Sequence, residues 1–204
     1  TLATTVFTPD TLGYITSPVF GPANEWKDVI WNGVSLESPS TDNPSIAIIG
    51  IDANKNETLL HTLDRSIQNF DISAVSAADY PFMKLRMRNV DSVSLTPFQL
   101  KTWKVYYTPA PEGALAPNLA LTAKDTLEVG EMLKFSIAFK NVSKHPFDSI
   151  AVKATIVDNN NTPHTISLPK QKPLVSGDTL VLRFEIDTED YPGSNSLFVD
   201  LNPD

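Results

Sequence analysis

The residue types that do chemistry are few in this sequence and poorly spaced for it. Histidine occurs three times, at His61, His145 and His164, each beside turn-type residues. A zinc site needs ligands at short spacing, such as two histidines four apart on a helix, and no such pair exists. All three therefore read as solvent-exposed loop residues. Cysteine is absent, which removes disulfides, thiolate metal ligands and a cysteine nucleophile together. A Gly-x-Ser-x-Gly elbow, a phosphate-binding glycine loop and a dinucleotide fingerprint are missing too. Asp52-Ala53-Asn54-Lys55-Asn56 opens with the spacing of a calcium loop. It then puts Glu57 where the sharp turn needs glycine and Leu63 where a bidentate glutamate is needed. A hairpin tip is the better reading. Paired carboxylates from distant strand ends can still converge, but Asp and Glu here gather in turns. The residues thus predict no catalytic group, no metal ligand set and no cofactor, hence no enzyme, and leave open whether calcium binds elsewhere.

Recognition chemistry is more plausible than catalysis. An exposed aromatic ring can stack on the apolar face of a sugar, helped by neighbouring polar or cationic groups. Trp26, Trp31 and Trp103 are the candidate rings, with Arg86 and Arg88 on a nearby strand. Trp31 and Trp103 sit on alternating strand faces and lean toward the core. Trp26 follows Pro22-Ala23-Asn24-Glu25 at a loop edge and is weighed evenly between core and platform. Trp26, Arg86 and Arg88 are the candidate ligand-binding residues.

The elements that would position these residues are strands. Pro is twice as frequent as Gly (16 against 8), which suits short strands joined by stiff turns. Apolar residues alternate along 26–34, 82–90, 100–107, 132–141, 147–158 and 179–186, and the run 45–52 reads as a central strand buried on both faces. Segment 118–123 and the final stretch 196–201 complete the pattern. A single helical turn is expected around Ser73 to Asp79. With 204 residues, the chain is long enough for two sandwiches of about 100 residues each. The boundary falls where Pro109, Pro111, Gly113 and Pro117 cluster. The predicted class is all-β, two consecutive β-sandwiches: residues 1–108, a Pro-rich linker 109–117, and 118–204 with its last edge strand lacking.

A formal net charge of -8 repels phosphate backbones and anionic lipid, so nucleic acid is not an expected partner. No run of 18 apolar residues argues for membrane insertion. The opening residues lack a basic segment followed by an apolar one. The chain therefore reads as cytosolic, or as a piece of a larger protein processed after export.

Two resemblances sharpen this. Leu127-Glu128-Val129-Gly130-Glu131, Phe135 to Ser143, Asp148-Ser149-Ile150, Leu174 to Leu180 and the closing Val199 to Asp204 resemble an immunoglobulin-like cell-adhesion (CARDB-like) domain of bacterial surface proteins. Thr16 to Phe20, Trp26, Trp31 and Trp103 to Tyr107 are similar to a galactose-binding-like jelly roll. The tandem resembles the region beside the peptidase domain of large gingipain-type proteins of Bacteroidetes, linked to type IX secretion and including sortase-like members. That resemblance implies a periplasmic, cell-surface or extracellular location, a cysteine peptidase as parent, and a non-catalytic structural or interaction role for this segment. Partners would be other domains of the parent or a surface protein, with a carbohydrate-binding module as the alternative. Five Asp-Ser/Thr-aliphatic triplets are similar to the O-glycosylation acceptor motif of Bacteroidetes exported proteins. They place acceptors at Thr11, Ser92, Thr126, Ser149 and Thr179, although Asp-Thr is also good turn chemistry before a strand.

Overall fold

The computed structural model describes residues 10–202, all of them in strands, turns and connections. Pro203 and Asp204, quoted in the resemblance of the closing segment, lie outside them. The strands are β1 (Leu12–Thr16), β2 (Ala23–Val34), β3 (Ser45–Ile51), β4 (Glu57–Asp64), β5 (Asn69–Asp71), β6 (Phe82–Val90) and β7 (Gln99–Pro109) in the first half. The second half holds β8 (Gly113–Leu115), β9 (Leu121–Thr122), β10 (Met132–Asn141), β11 (Val152–Val157), β12 (Pro163–Ser167), β13 (Thr179–Asp187) and β14 (Ser196–Leu201). The chain divides into two compact units, Thr1–Ala110 and Pro111–Asp204.

In the N-terminal unit one sheet has the order β1-β6-β3-β4 and the other β5-β2-β7. Period-two burial builds the core between them: Met83, Leu85 and Met87 of β6, and Ile46 and Ile48 of β3, meet Trp26, Val29 and Trp31 of β2. The β3–β4 hairpin turns at Asp52 to Asn56, as its turn residues predicted. The Asp52 carboxylate accepts the Asn56 backbone N–H at 2.7 Å and the Asn56 side-chain amide at 2.9 Å, and Lys55 adopts a φ of 69°. These bonds hold the Asp52 carboxyl below its usual range.

β2 is the exception to strict alternation, and the exception decides a side chain's role. Counting back by twos from Trp31 and Val29 would put Trp26 on the outer face. A register shift between Trp26 and Asp28 inserts one residue and returns Trp26 to the inner face. Its indole is 0% exposed, donates its Nε1–H to the Tyr80 carbonyl at 2.9 Å and tilts against Tyr107 with ring centres 5.3 Å apart. The Trp31 Nε1–H is answered by the Ile67 carbonyl at 2.7 Å. Both indole donors are thus satisfied by the connections that flank β5, which is what lets the rings sink completely.

In the C-terminal unit β8 and β9 pair with β10, β10 pairs with β13, and β12-β11-β14 form the second sheet. Successive strands β10 and β11 lie in opposite sheets, the arrangement of an immunoglobulin-like sandwich. Phe139, Phe147, Ile150, Val152, Leu174 and Leu182 fill the space between, with Phe139 and Phe147 edge-on at 5.6 Å. β14 has β11 as its one strand partner among the described residues.

Two expectations about elements are corrected. The segment read as a linker is largely structured: Pro109 ends β7, and Gly113–Leu115 is a strand on β10. Its glycine is needed there because a Cβ at Gly113 would collide with the Phe139 ring. The strand expected over 118–123 shrinks to β9, because residues 117–119 turn instead, with the Leu119 N–H bonded to the Ala116 carbonyl at 2.9 Å. The helical turn expected near Ser73 to Asp79 is a single i to i−4 closure, Tyr80 N–H to the Ser76 carbonyl at 3.0 Å.

The β11–β12 tip carries a pH-dependent feature. The Asp158 carboxylate accepts from His164 Nε2 at 2.9 Å and from the backbone N–H groups of Thr162 and Asn160 at 2.9 and 2.8 Å, which lowers its pKa. A carboxyl depressed on folding contributes above its unfolded value, about pH 4, and loses that contribution as pH falls. Asp158→Ala is expected to speed amide exchange at the tip at pH 7, with the difference from the unsubstituted chain closing as the pH drops below about 4. Equal differences at both pH values would contradict this.

Candidate functional site

The outward face of the β1-β6-β3-β4 sheet collects the polar side chains that its own alternation directs away from the core. Register sets the neighbours: Tyr14, Arg88 and Ser45 stand directly opposite one another across β1, β6 and β3, and Arg86, Ala47 and Thr62 form the adjoining row across β6, β3 and β4. Side chains paired this way lie within a few ångströms on the same face. They line a shallow cavity of about 370 Å³ with Leu59 and Glu57 at its far side. Tyr14 is 59% exposed and Leu59 62% exposed, so the face offers one aromatic and one aliphatic contact beside two guanidinium groups.

The charges on this face are unequal in kind. Lys84 is neutralised by Glu57 at 2.5 Å. Arg86 and Arg88 enter no ion pair among the described residues. Two free guanidinium groups two residues apart form a locally basic patch on a protein of net charge -8. Guanidinium forks suit carboxylate or sulfate partners.

Of the candidate ligand-binding residues, the structure brings Arg86 and Arg88 together and removes Trp26. Trp26 lies in the core for the bulge reason given above, so it offers no ring to a ligand. Trp31 is core as well, and Trp103 packs half-buried against the same cluster. The aromatic ring beside the arginines is Tyr14 of β1, a residue that the sequence did not single out. Its signal is the pairing of Tyr14 with Arg88, a register that no local pattern reveals.

The histidines also differ from expectation. His61 is exposed but lies on β4, 4.8 Å from the Phe70 ring. His164 is half-buried on β12, and the backbone carbonyl of half-buried His145 accepts the Asn141 amide at 2.8 Å. All five hydroxyl residues of the triplets, Thr11, Ser92, Thr126, Ser149 and Thr179, are exposed. At one of them the turn chemistry is visible: Asp91 accepts the N–H groups of Val93, Ser94 and Thr96 at 2.9, 3.1 and 2.9 Å. Desolvation pushes the Asp91 carboxyl upward, but these bonds and one from Thr41 outweigh it and bring it to about 2.

A larger cavity, about 460 Å³, lies in the C-terminal sandwich among Leu133, Phe135, Ile156, Ile186 and Leu197. Its lining is mixed: Lys124, Asp125, Glu128 and Thr188 join these apolar side chains, together with Tyr191 and Asn195.

The chain matches no protein-family model and no curated protein. Solved structures similar to it include Bacteroides uniformis β-glucuronidase 2 covalently bound to cyclophellitol-6-carboxylate aziridine, at 12% identity over 86% of this chain and 21% of that one, with a TM-score of 0.26. Parabacteroides merdae β-glucuronidase is similar at 13% identity, 90% and 27% coverage and a TM-score of 0.30. A glycosyl hydrolase family 2 member from Bacteroides cellulosilyticus follows at 12% identity, 95% and 27% coverage and a TM-score of 0.27. The chain spans between 21% and 27% of these proteins' length. At such scores the likeness carries no argument about activity.

Proposed function

We propose that the chain is a non-catalytic interaction module of a larger exported protein, and that the outer face of its N-terminal sandwich is where a partner docks. The observation that carries this is the placement of Arg86 and Arg88 side by side, without ion-pair partners among the described residues, next to exposed Tyr14 and Leu59. An apolar contact flanked by two planar cations is suited to a partner presenting carboxylates. The partner is then another domain of the parent or a surface protein with an acidic patch. Export, and the gingipain-like context of the parent, rest on the sequence resemblance of the strands and turns quoted above. The exposure of all five triplet hydroxyls is compatible with glycosylation in such a compartment.

A second reading is favoured by Tyr14. An exposed tyrosine beside two arginines can stack a pyranose ring and bind its carboxylate, which would make this face a site for an acidic glycan. Titration of the full chain, followed by NMR, separates the readings. Shifts of Tyr14, Arg86 and Arg88 with an oligogalacturonate but not with a neutral galacto-oligosaccharide would establish the glycan. Without such shifts, the neighbouring domain of the parent, added in trans, is expected to bind at least tenfold more weakly to Arg88→Glu. Unchanged binding would remove this face from the interaction.

A further inference from the structure

Three carboxylates from two connections converge at one edge of the N-terminal sandwich. Glu37 and Asp42 belong to the β2–β3 connection and Asp91 opens the β6–β7 connection, yet one oxygen from each lies within 4.8 Å of the others. Like charges at that separation repel unless something positive sits between them. No Lys, Arg or His forms an ion pair with any of the three among the described residues. Arg65 reaches the group only through Ser40, donating to Ser40 Oγ at 2.8 Å, and Ser40 lies 3.3 Å from Asp42 Oδ2. Asp91 is served by the backbone N–H groups of Val93, Ser94 and Thr96, but for Glu37 and Asp42 the hydroxyl donors are too few. Thr41 Oγ1 stands 3.1 Å from Glu37 Oε2 and 3.0 Å from Asp91 Oδ1 but has one proton to give. Thr96 donates to Glu37 Oε1.

An independent observation points to what is needed. Asp42 is 9% exposed, and its Oδ1 is enclosed with no hydrogen-bond donor among the described residues. Buried carboxylate oxygens are normally answered by a donor or a metal ion. One oxygen of the same carboxylate lies within 4.8 Å of oxygens of Glu37 and Asp91, so the unanswered group belongs to the cluster. We propose that Glu37, Asp42 and Asp91 bind a calcium ion that clamps the β2–β3 connection to the β6–β7 connection. The donor set is all oxygen, three carboxylates with the Thr41, Ser94 and Thr96 hydroxyls close by, which excludes preference for a soft metal. Calcium accepts irregular oxygen cages, whereas magnesium demands a near-ideal octahedron. Sequence spacing could not have shown this site, because its members lie five and forty-nine positions apart.

The test uses the full chain after chelation, titrated with calcium chloride in a calorimeter. One saturable equivalent is expected, with the N-terminal sandwich melting roughly 10 °C higher at about 100 times Kd. Asp42→Asn is expected to abolish both effects, and Glu37→Gln to weaken binding at least tenfold. In EDTA the order should reverse, Asp42→Asn melting at or above the unsubstituted chain, because the repulsion is relieved. If Asp42→Asn instead melts lower in EDTA, Glu37→Gln decides. Absence of heat up to about 5 mM calcium, binding undiminished in Glu37→Gln, or magnesium bound as tightly would each overturn the assignment.

Discussion

Replacing Trp26 with alanine is expected to destabilise the N-terminal sandwich by about 3–5 kcal/mol, the range for truncating a buried tryptophan. The ring is wholly enclosed, its Nε1–H bonds the Tyr80 carbonyl, and it packs on Tyr107. Truncation opens a cavity and strands that carbonyl at once. Tyr14→Ala is the matched control. It removes an aromatic ring of similar size from the open face and is expected to change stability by no more than about 0.5 kcal/mol. Urea unfolding of both variants gives the comparison, with the midpoint read at constant slope. If the two substitutions cost the same, the bulge that turns Trp26 inward is wrong, and Trp26 returns as a candidate for the binding face.

Asn141→Leu is the second large effect, expected to cost the C-terminal sandwich about 3 kcal/mol or more. Asn141 is fully buried at the end of β10. Its amide donates to the carbonyls of His145 and Leu174 at 2.8 and 3.1 Å, and its oxygen accepts the Ser143 N–H at 2.9 Å and the Ser143 hydroxyl at 2.8 Å. Leucine has nearly the same size but takes one of the two donors from each carbonyl, leaving them the Phe147 N–H and the Ser143 hydroxyl, and strips the Ser143 N–H of its acceptor beside a buried side chain. Because Leu174 in turn pairs its backbone with Phe147, the loss should loosen the 142–147 and 174–178 connections first. Amide exchange at Phe147 and Gly177 is the sensitive readout. A change in exchange confined to Ser143 would mean that the network is local and does not tie the two connections together.

How much was legible beforehand follows from the range of the interactions involved. β6, β10 and β14 lie where alternation put them, because a strand's two faces are written into successive residues. Met83, Leu85 and Met87 went inward and Arg86 and Arg88 outward for that reason alone. Alternation fails where the chain inserts a residue, and the bulge at Trp26 is set by pairing with β7, not by the residues around Trp26. Composition misled at 109–117 in the same way: prolines and a glycine suggested a linker, while the Phe139 ring required the glycine inside a strand pairing.

The amino-acid sequence by itself determined that this protein is all-β, that it divides near residue 110, and that Arg86 and Arg88 face outward, since each depends on neighbours within a few positions. Only the tertiary structure decided that Tyr14 and not Trp26 stands beside those arginines, and that Glu37, Asp42 and Asp91 share one edge. Those outcomes rest on strand register and on the meeting of distant connections. Such pairings are fixed by the packing of the whole sandwich, and no local pattern encodes them.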